Sequence, residues 1–203
     1  MSMIYDKYAL ANSSMQSDVT SLLDVGCRDG ILKSYLRPGI QYTGLDIMPG
    51  PNVDRIANIE EGLPFADREF DAVAALDLLE HTNNIWFAFD ELVRVSRRQV
   101  IIVLPNLYHW QSRIRFLFGR EMGKYVLPVD PVMDRHRWLP SYGLACRFCT
   151  ERARMHGMSV KEHVLFGGRR TGRALLRSFH TSSPVPYRSG TRDRRTATSD
   201  ADP

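Results

Sequence analysis

The stretch SLLDVGCRDGILKSYL, residues 21–36, decides how the rest of the chain is read. A short apolar run carries Asp24 near its end, turns through Gly26 and Gly30, and resumes at helix-like spacing. Strand, tight glycine turn and helix start form the unit with which α/β folds hold nucleotide-like ligands. Glycine permits positive φ and a close backbone approach, while a helix start offers unpaired N–H groups. An acidic side chain at the strand end suits a cationic or hydroxyl-bearing group instead. The turn alone is a weak signal, and its meaning comes from residues at fixed distances further along the chain.

Working outward, the 203-residue chain is 43% hydrophobic and 25% charged, which predicts one globular domain with a sizeable core. The opening residues MSMIYDKYAL carry Asp6 and Lys7 and lack the apolar centre of a secretory signal. No apolar run approaches the ~20 residues that cross a bilayer, so no membrane span is expected. Three cysteines, Cys27, Cys146 and Cys149, fit a reducing, cytoplasmic setting. The net charge of +4 is unevenly placed, with six arginines and no carboxylate between residues 92 and 120. That asymmetry suits an anionic partner, and a solvated basic surface is the competing reading.

Apolar runs at residues 21–25, 41–45, 70–76 and 99–104 read as buried strands, with a short strand near 54–57. Residues 31–37 and 86–95 read as helices between them. Strands alternating with helices predict an α/β fold, a doubly wound, mostly parallel sheet. Residues 1–18 are expected to form a short helix or an arm over the site. After Pro105 an amphipathic helix is expected at 108–118, an irregular segment at 119–140, a helix at 141–156 and a strand at 159–166. Residues 173–179 suit a last strand or a frayed helix. The expected organisation is a single domain over 1–180, with 106–142 covering the acceptor and a disordered basic tail at 181–203.

Distance strengthens the opening turn. Asp46 lies 22 positions after Asp24, at the end of the second strand, where a carboxylate can accept both hydroxyls of a ribose. Downstream, LPFADREFDAVAALDLLEH, residues 63–81, leads a Leu-Pro-Phe loop through an acidic turn into the next strand. DVGCRDG, YTGLDI, LPFADREFD and LDLLEH, in that order, resemble a class I S-adenosylmethionine-dependent methyltransferase of the methyltransferase type 11 group. The resemblance covers residues 21–104 and implies a Rossmann-like fold. A narrower likeness rests on Leu104-Pro105-Asn106, His109-Trp110 and Gly119-Arg120, which are similar to the MetW-type branch associated with methionine biosynthesis. Residues 130–142 look more like methyltransferases acting on sugars, lipids or other secondary metabolites.

The resemblance implies S-adenosyl-L-methionine as cofactor and a role for each matching position. Asp24, Gly26, Cys27 and Gly30 would form the turn beside its amino-acid part. Asp46 would hold the ribose, with Ile47 beside the adenine. Asn58 stands where relatives carry an adenine-facing Asp, Ile59 would pack on the ring, and Leu76 and Asp77 would line the methionine end. Arg28 replaces the middle glycine of the family turn. If that position needs positive φ, the replacement costs about 1 kcal/mol.

The sulfonium methyl is already activated, so the protein's main task is alignment, with a base needed only for a protonated acceptor. His81 is the candidate catalytic base. Tyr5, His109, Arg113, His136 and Trp138 are expected in the acceptor region, with a structural or surface role as the competing reading for each histidine. The expected acceptor is a small molecule or a glycan- or lipid-linked group, anionic if the arginines face it, and oxygen is the expected target atom. The different-class reading is a methyltransferase-fold binding partner of another enzyme, as the MetW-type likeness implies. No nucleic-acid module is recognisable, so that partner is not expected. The Cys146-x-x-Cys149 pair lacks further ligands at suitable spacing and is expected to be packing. No metal is expected. A dinucleotide dehydrogenase is excluded because the turn lacks G-x-G-x-x-G.

Overall fold

A computed structural model describes residues 6–120, 135–165 and 174–181, excluding the side chains of 162–165 and 174–176. Seven strands form one sheet: β1 (Ser21–Val25), β2 (Gln41–Asp46), β3 (Arg55–Ile56), β4 (Phe70–Leu76), β5 (Ser96–Pro105), β6 (Met158–Leu165) and β7 (Ala174–Thr181). Their order is β3-β2-β1-β4-β5-β7-β6. The first five pair in parallel, and β7 pairs antiparallel with both β5 and β6. This is the Rossmann-like α/β architecture that the sequence predicts, and residues 174–181 are strand rather than frayed helix.

The period of two along each strand divides the core into two layers. Leu23, Val73, Ala75, Val100 and Ile102 pack against α2 (Ile85–Val95) and α4 (Tyr142–Met155). Leu22, Ala72, Ala74, Ile101 and Val103 lie on the other face with Ala11 of α1 (Lys7–Ser14) and Leu32. Strand β4 is buried at all seven positions, as its near-continuous apolar run, broken by Asp71 alone, favours. Helix starts are capped by side chains: Asp6 accepts from Tyr8 N–H, Asn84 from Phe87 N–H and Ser141 from Leu144 N–H. Cys149 lies in the first layer, and burial pushes its thiol up to about 12, so this half of the CxxC pair is packing.

Two expectations change. The helix expected at 31–37 is a 3₁₀ turn, Ile31–Tyr35, because Pro38-Gly39 closes the segment before a longer helix can develop. The amphipathic helix expected at 108–118 is shorter, α3 (Trp110–Leu117), and Trp110, Ile114, Phe116, Leu117 and Phe118 are exposed. Most of the irregular segment 119–140 and the tail 182–203 lie outside the described residues, as does Tyr5. Among the described residues no helix is long and apolar enough to cross a membrane.

Two polar networks hold the frame. Asp71 of the Phe70-Asp71 pair is buried. It accepts from Thr20 N–H, the Thr20 hydroxyl and Arg97, and its own N–H donates to Ser21 Oγ. Burial raises the carboxyl, but the Thr20 and Arg97 contacts outweigh it and bring it down to about 2. Arg94 donates to the carbonyls of Leu63 and Phe65, to Asp67 and to Glu91, whose carboxylate accepts from Leu63 N–H. The LPF loop is thereby anchored to α2.

Candidate functional site

Strand order reverses between β1 and β4, and ligands of open parallel sheets bind beyond the C-terminal strand ends at such a point. A cleft of about 690 Å³ opens there, within the range of small-molecule and cofactor sites. It brings together Asp24, Gly26, Cys27, Asp46, Ile47, Asn58, Ile59, Leu76, Asp77, His81 and His136 from the sequence-predicted set.

The turn after β1 is built by backbone geometry. Gly26 has φ +73°, and a Cβ there would come within 2.8 Å of Leu78 Cδ1. Gly30 lines no part of the cleft, but it has φ +64° and seats the turn against Asn52. Arg28 has φ +55°, so the non-glycine residue does occupy the left-handed region. Its side chain is exposed, and its N–H donates to Asp46 Oδ2 at 2.8 Å. Met48 N–H donates to Asp46 Oδ1 at 3.1 Å. The second-strand carboxylate is thus held in place by two backbone donors at the mouth of the cleft.

Asp24 is buried and accepts from the Tyr42 hydroxyl at 3.0 Å. Burial raises its carboxyl to about 7, against the lowering effect of Tyr42 and of nearby Lys7. The same burial, with the Asp24 charge beside it, raises the Cys27 thiol to about 11 and also raises the Tyr42 phenol. A cation entering the cleft would favour the ionised form of Asp24.

Beyond β4, Asp77 has φ +61° and its carboxylate pairs with Lys7 Nζ at 2.7 Å. Burial lowers the Lys7 ammonium, but Asp77 more than compensates and its pKa is raised. Asn58 caps a short 3₁₀ turn, accepting from Glu60 N–H at 3.0 Å, and Ile59 is buried beside it. His81 ends a second 3₁₀ turn, Leu79–His81, and its Nδ1 lies 3.1 Å from the Arg135 carbonyl. The ring of His136 meets that of His81 edge-on, with centroids 4.7 Å apart.

The acceptor-region expectations divide. His136 enters the cleft, whereas His109, Arg113 and Trp138 stand outside its lining. His109 Nδ1 lies 2.8 Å from Ser112 Oγ at the start of α3, and Arg113 Nε donates to the Tyr108 carbonyl. The Trp138 indole donates to the Thr82 carbonyl and stacks edge-on against Trp86. Sequence reasoning missed Lys7, Tyr8, Glu80 and Arg137 as cleft residues. Lys7 lies 70 positions from Asp77, so no local signal could pair them. Glu80 had a signal: a carboxylate directly before the candidate His81.

Residues 23–104 match the family profile described as a methyltransferase domain. No curated protein sequence matches the chain. Among solved structures, a putative methyltransferase from Bacillus halodurans is similar at TM-score 0.58 and 12% identity, covering 87% of this chain and 99% of its own. A possible histamine N-methyltransferase from Thermotoga maritima gives TM-score 0.57 and 13% identity, covering 86% and 87%. A small RNA methyltransferase gives TM-score 0.62 and 17% identity, covering 86% of this chain but 25% of its own. At these identities the structures establish the fold. With the profile match they support a class I methyltransferase and imply S-adenosylmethionine as its cofactor.

Proposed function

We propose that this chain transfers the methyl group of S-adenosylmethionine to a hydroxyl oxygen of a small-molecule or glycan- or lipid-linked acceptor. One observation carries the reading: a single cleft at the strand-order reversal collects Asp24, Asp46 and Asp77 for a cationic, ribose-bearing ligand and sets His81 beside them. Asp46, fixed by two N–H donors, takes the ribose hydroxyls. Asp24, from its buried position, and Asp77 favour the ammonium and sulfonium. The sulfonium needs no further activation, so the protein's work is to aim the acceptor oxygen along the S–CH₃ axis. His81 is the group for proton removal. Its Nδ1 faces the Arg135 carbonyl and therefore carries the proton, which leaves the ring's basic lone pair on Nε2.

A catalytically weak, MetW-like binding partner is the second reading. It is favoured by Asn58, whose carbonyl oxygen is engaged by Glu60 N–H, and by Lys7, whose ammonium already pairs with Asp77. Titration calorimetry with S-adenosylmethionine and S-adenosylhomocysteine separates the two. Micromolar binding that Asp46→Ala abolishes supports the enzyme, and an inert wild type sinks it in favour of the binding partner. With an acceptor in hand, His81→Ala is expected to lower turnover and leave cofactor affinity unchanged. Equal loss of both would remove His81 from proton transfer.

A further inference from the structure

We propose that Glu80, His81 and His136 bind a divalent transition-metal ion on the wall of the cleft. One carboxylate oxygen and one nitrogen from each imidazole lie within 4.8 Å of one another. Ligands about 2.1 Å from a tetrahedral metal sit roughly 3.4 Å apart, so closure asks for about an ångström of side-chain rotation. Two imidazoles and a carboxylate form a borderline donor set. It suits zinc, cobalt, manganese or iron and suits magnesium or calcium poorly, since those prefer all-oxygen shells.

The fold builds this triad from two distant segments. Glu80 and His81 are consecutive on the 3₁₀ turn after β4. His136 is delivered by residues 135–138, which are fastened to that turn on both sides of it. Arg137 N–H donates to the Glu80 carbonyl at 2.8 Å, and Arg137 Nε donates to the His81 carbonyl at 2.7 Å. The Trp138 indole donates to the Thr82 carbonyl at 2.7 Å. His81 also has the outer contact common to metal-bound histidines: a backbone carbonyl at Nδ1 fixes the tautomer and leaves Nε2 as the nitrogen with a lone pair. Glu80 is 1% exposed, so its attraction for an ion acts at low local dielectric. Arg137 and Lys7 also line the cleft and oppose a cation; Arg137 Nε is turned to the His81 carbonyl, and Lys7 pairs with Asp77.

Three protein ligands leave a coordination position for a small molecule, the pattern of metal sites that act on bound oxygen. An acceptor hydroxyl there would be acidified and lose its proton to solvent water. Its oxygen would then form the bond to the methyl carbon, while the C–S pair stays on sulfur. This consequence rests on the oxygen-methylation reading, in which the ion replaces His81 as the means of proton loss. Metal binding itself does not rest on it.

The test is a cobalt(II) titration of tag-free protein followed by visible absorption, with zinc as competitor and cofactor calorimetry in parallel. The expected result is d–d bands that saturate at one ion per chain and vanish on adding zinc. His136→Ala and Glu80→Gln, each checked for an unchanged melting curve, should weaken binding at least tenfold. Absent bands, bands that both variants retain, or the intense sulfur-to-cobalt bands of cysteine ligation would overturn the site. Cofactor binding without cobalt binding sinks the metal site and spares methyl transfer. Cobalt binding without cofactor binding does the reverse.

Discussion

The two sides of the cleft are assembled by different means. On the side of β1 and β2 the walls are turns with stringent local demands. Gly26 and Gly30 adopt positive φ, Asp46 caps two N–H groups, and Gly44 N–H donates to Asp54 Oδ2 at 2.8 Å. On the other side, residues 135–138 attach to the turn after β4 through the carbonyls of Glu80, His81 and Thr82, more than 50 positions away in the chain. Every residue has a carbonyl, so such an attachment leaves no mark on the segment that receives it. Local demands select residue types, and distant attachments to backbone do not.

The strongest test of local demand adds a methyl group at two glycines, one in β2 and one in α4. A Cβ at Gly44 would lie 2.1 Å from the Asn52 carbonyl oxygen, a backbone atom that cannot move alone. Gly44→Ala is expected to cost about 3 kcal/mol or more, at the overpacking end of core substitutions. Gly143, in the first turn of α4, meets nothing within 4 Å. Gly143→Ala should be neutral or stabilising by about 0.5–1 kcal/mol. Denaturant unfolding of the pair checks both, and equal losses would end the distinction.

Next in size is the anchor of the LPF loop. Arg94 satisfies two carbonyls and two carboxylates from a largely buried position, and Arg94→Ala leaves Glu91 close to Leu63 without its cation. Breaking a partly buried pair with backbone partners is expected to cost about 2–3 kcal/mol. Thermal unfolding measures it. A change below about 0.5 kcal/mol would show that the loop is held by Phe65 against Phe70 instead.

The same division governs how much of the molecule is legible in the sequence. DVGCRDG and YTGLDI are legible because positive φ and a capped carboxylate admit few residue types. LPFADREFD is legible as a pattern, but its meaning is not: Asp71 and the loop carbonyls hold strands and α2 together and line no part of the cleft. The parallel sheet can be read from the alternation of apolar runs. The pairing of Lys7 with Asp77 and the arrival of His136 beside His81 are hidden, since both join segments remote in the chain. Trp138 is expected at the acceptor, but its indole meets Thr82 and Trp86, partners that only the folded chain brings together.

The charges of the cleft sharpen the comparison at the level of binding. Burial disfavours the Asp24 anion and pushes its carboxyl up to about 7. A bound cation favours the anion, so cofactor binding should expel a proton around neutrality. The sign is fixed: affinity rises with pH as the empty site ionises, by about tenfold between pH 6 and 8 if the bound pKa falls well below 6. Asp24→Asn should flatten that profile. Calorimetry in buffers of differing ionisation enthalpy counts the proton, and a pH-independent wild type would remove Asp24 from the binding site.

The smallest effect tests the ion pair that joins α1 to Asp77 in the site. Lys7 is about a quarter exposed and Asp77 somewhat more, so solvent screens their pairing and its net worth lies within about 1 kcal/mol. Its consequence for ligand choice is nonetheless directional. The Lys7 ammonium repels a sulfonium and neutralises a carboxylate that would attract one. S-adenosylhomocysteine carries no sulfonium charge and feels neither effect at sulfur. Lys7→Gln should therefore improve S-adenosylmethionine binding relative to S-adenosylhomocysteine by about two- to threefold at low salt, and the gain should shrink as salt is added. Lost affinity for both ligands alike would assign Lys7 to holding α1 over the cleft, and its charge would have no part in selecting the ligand.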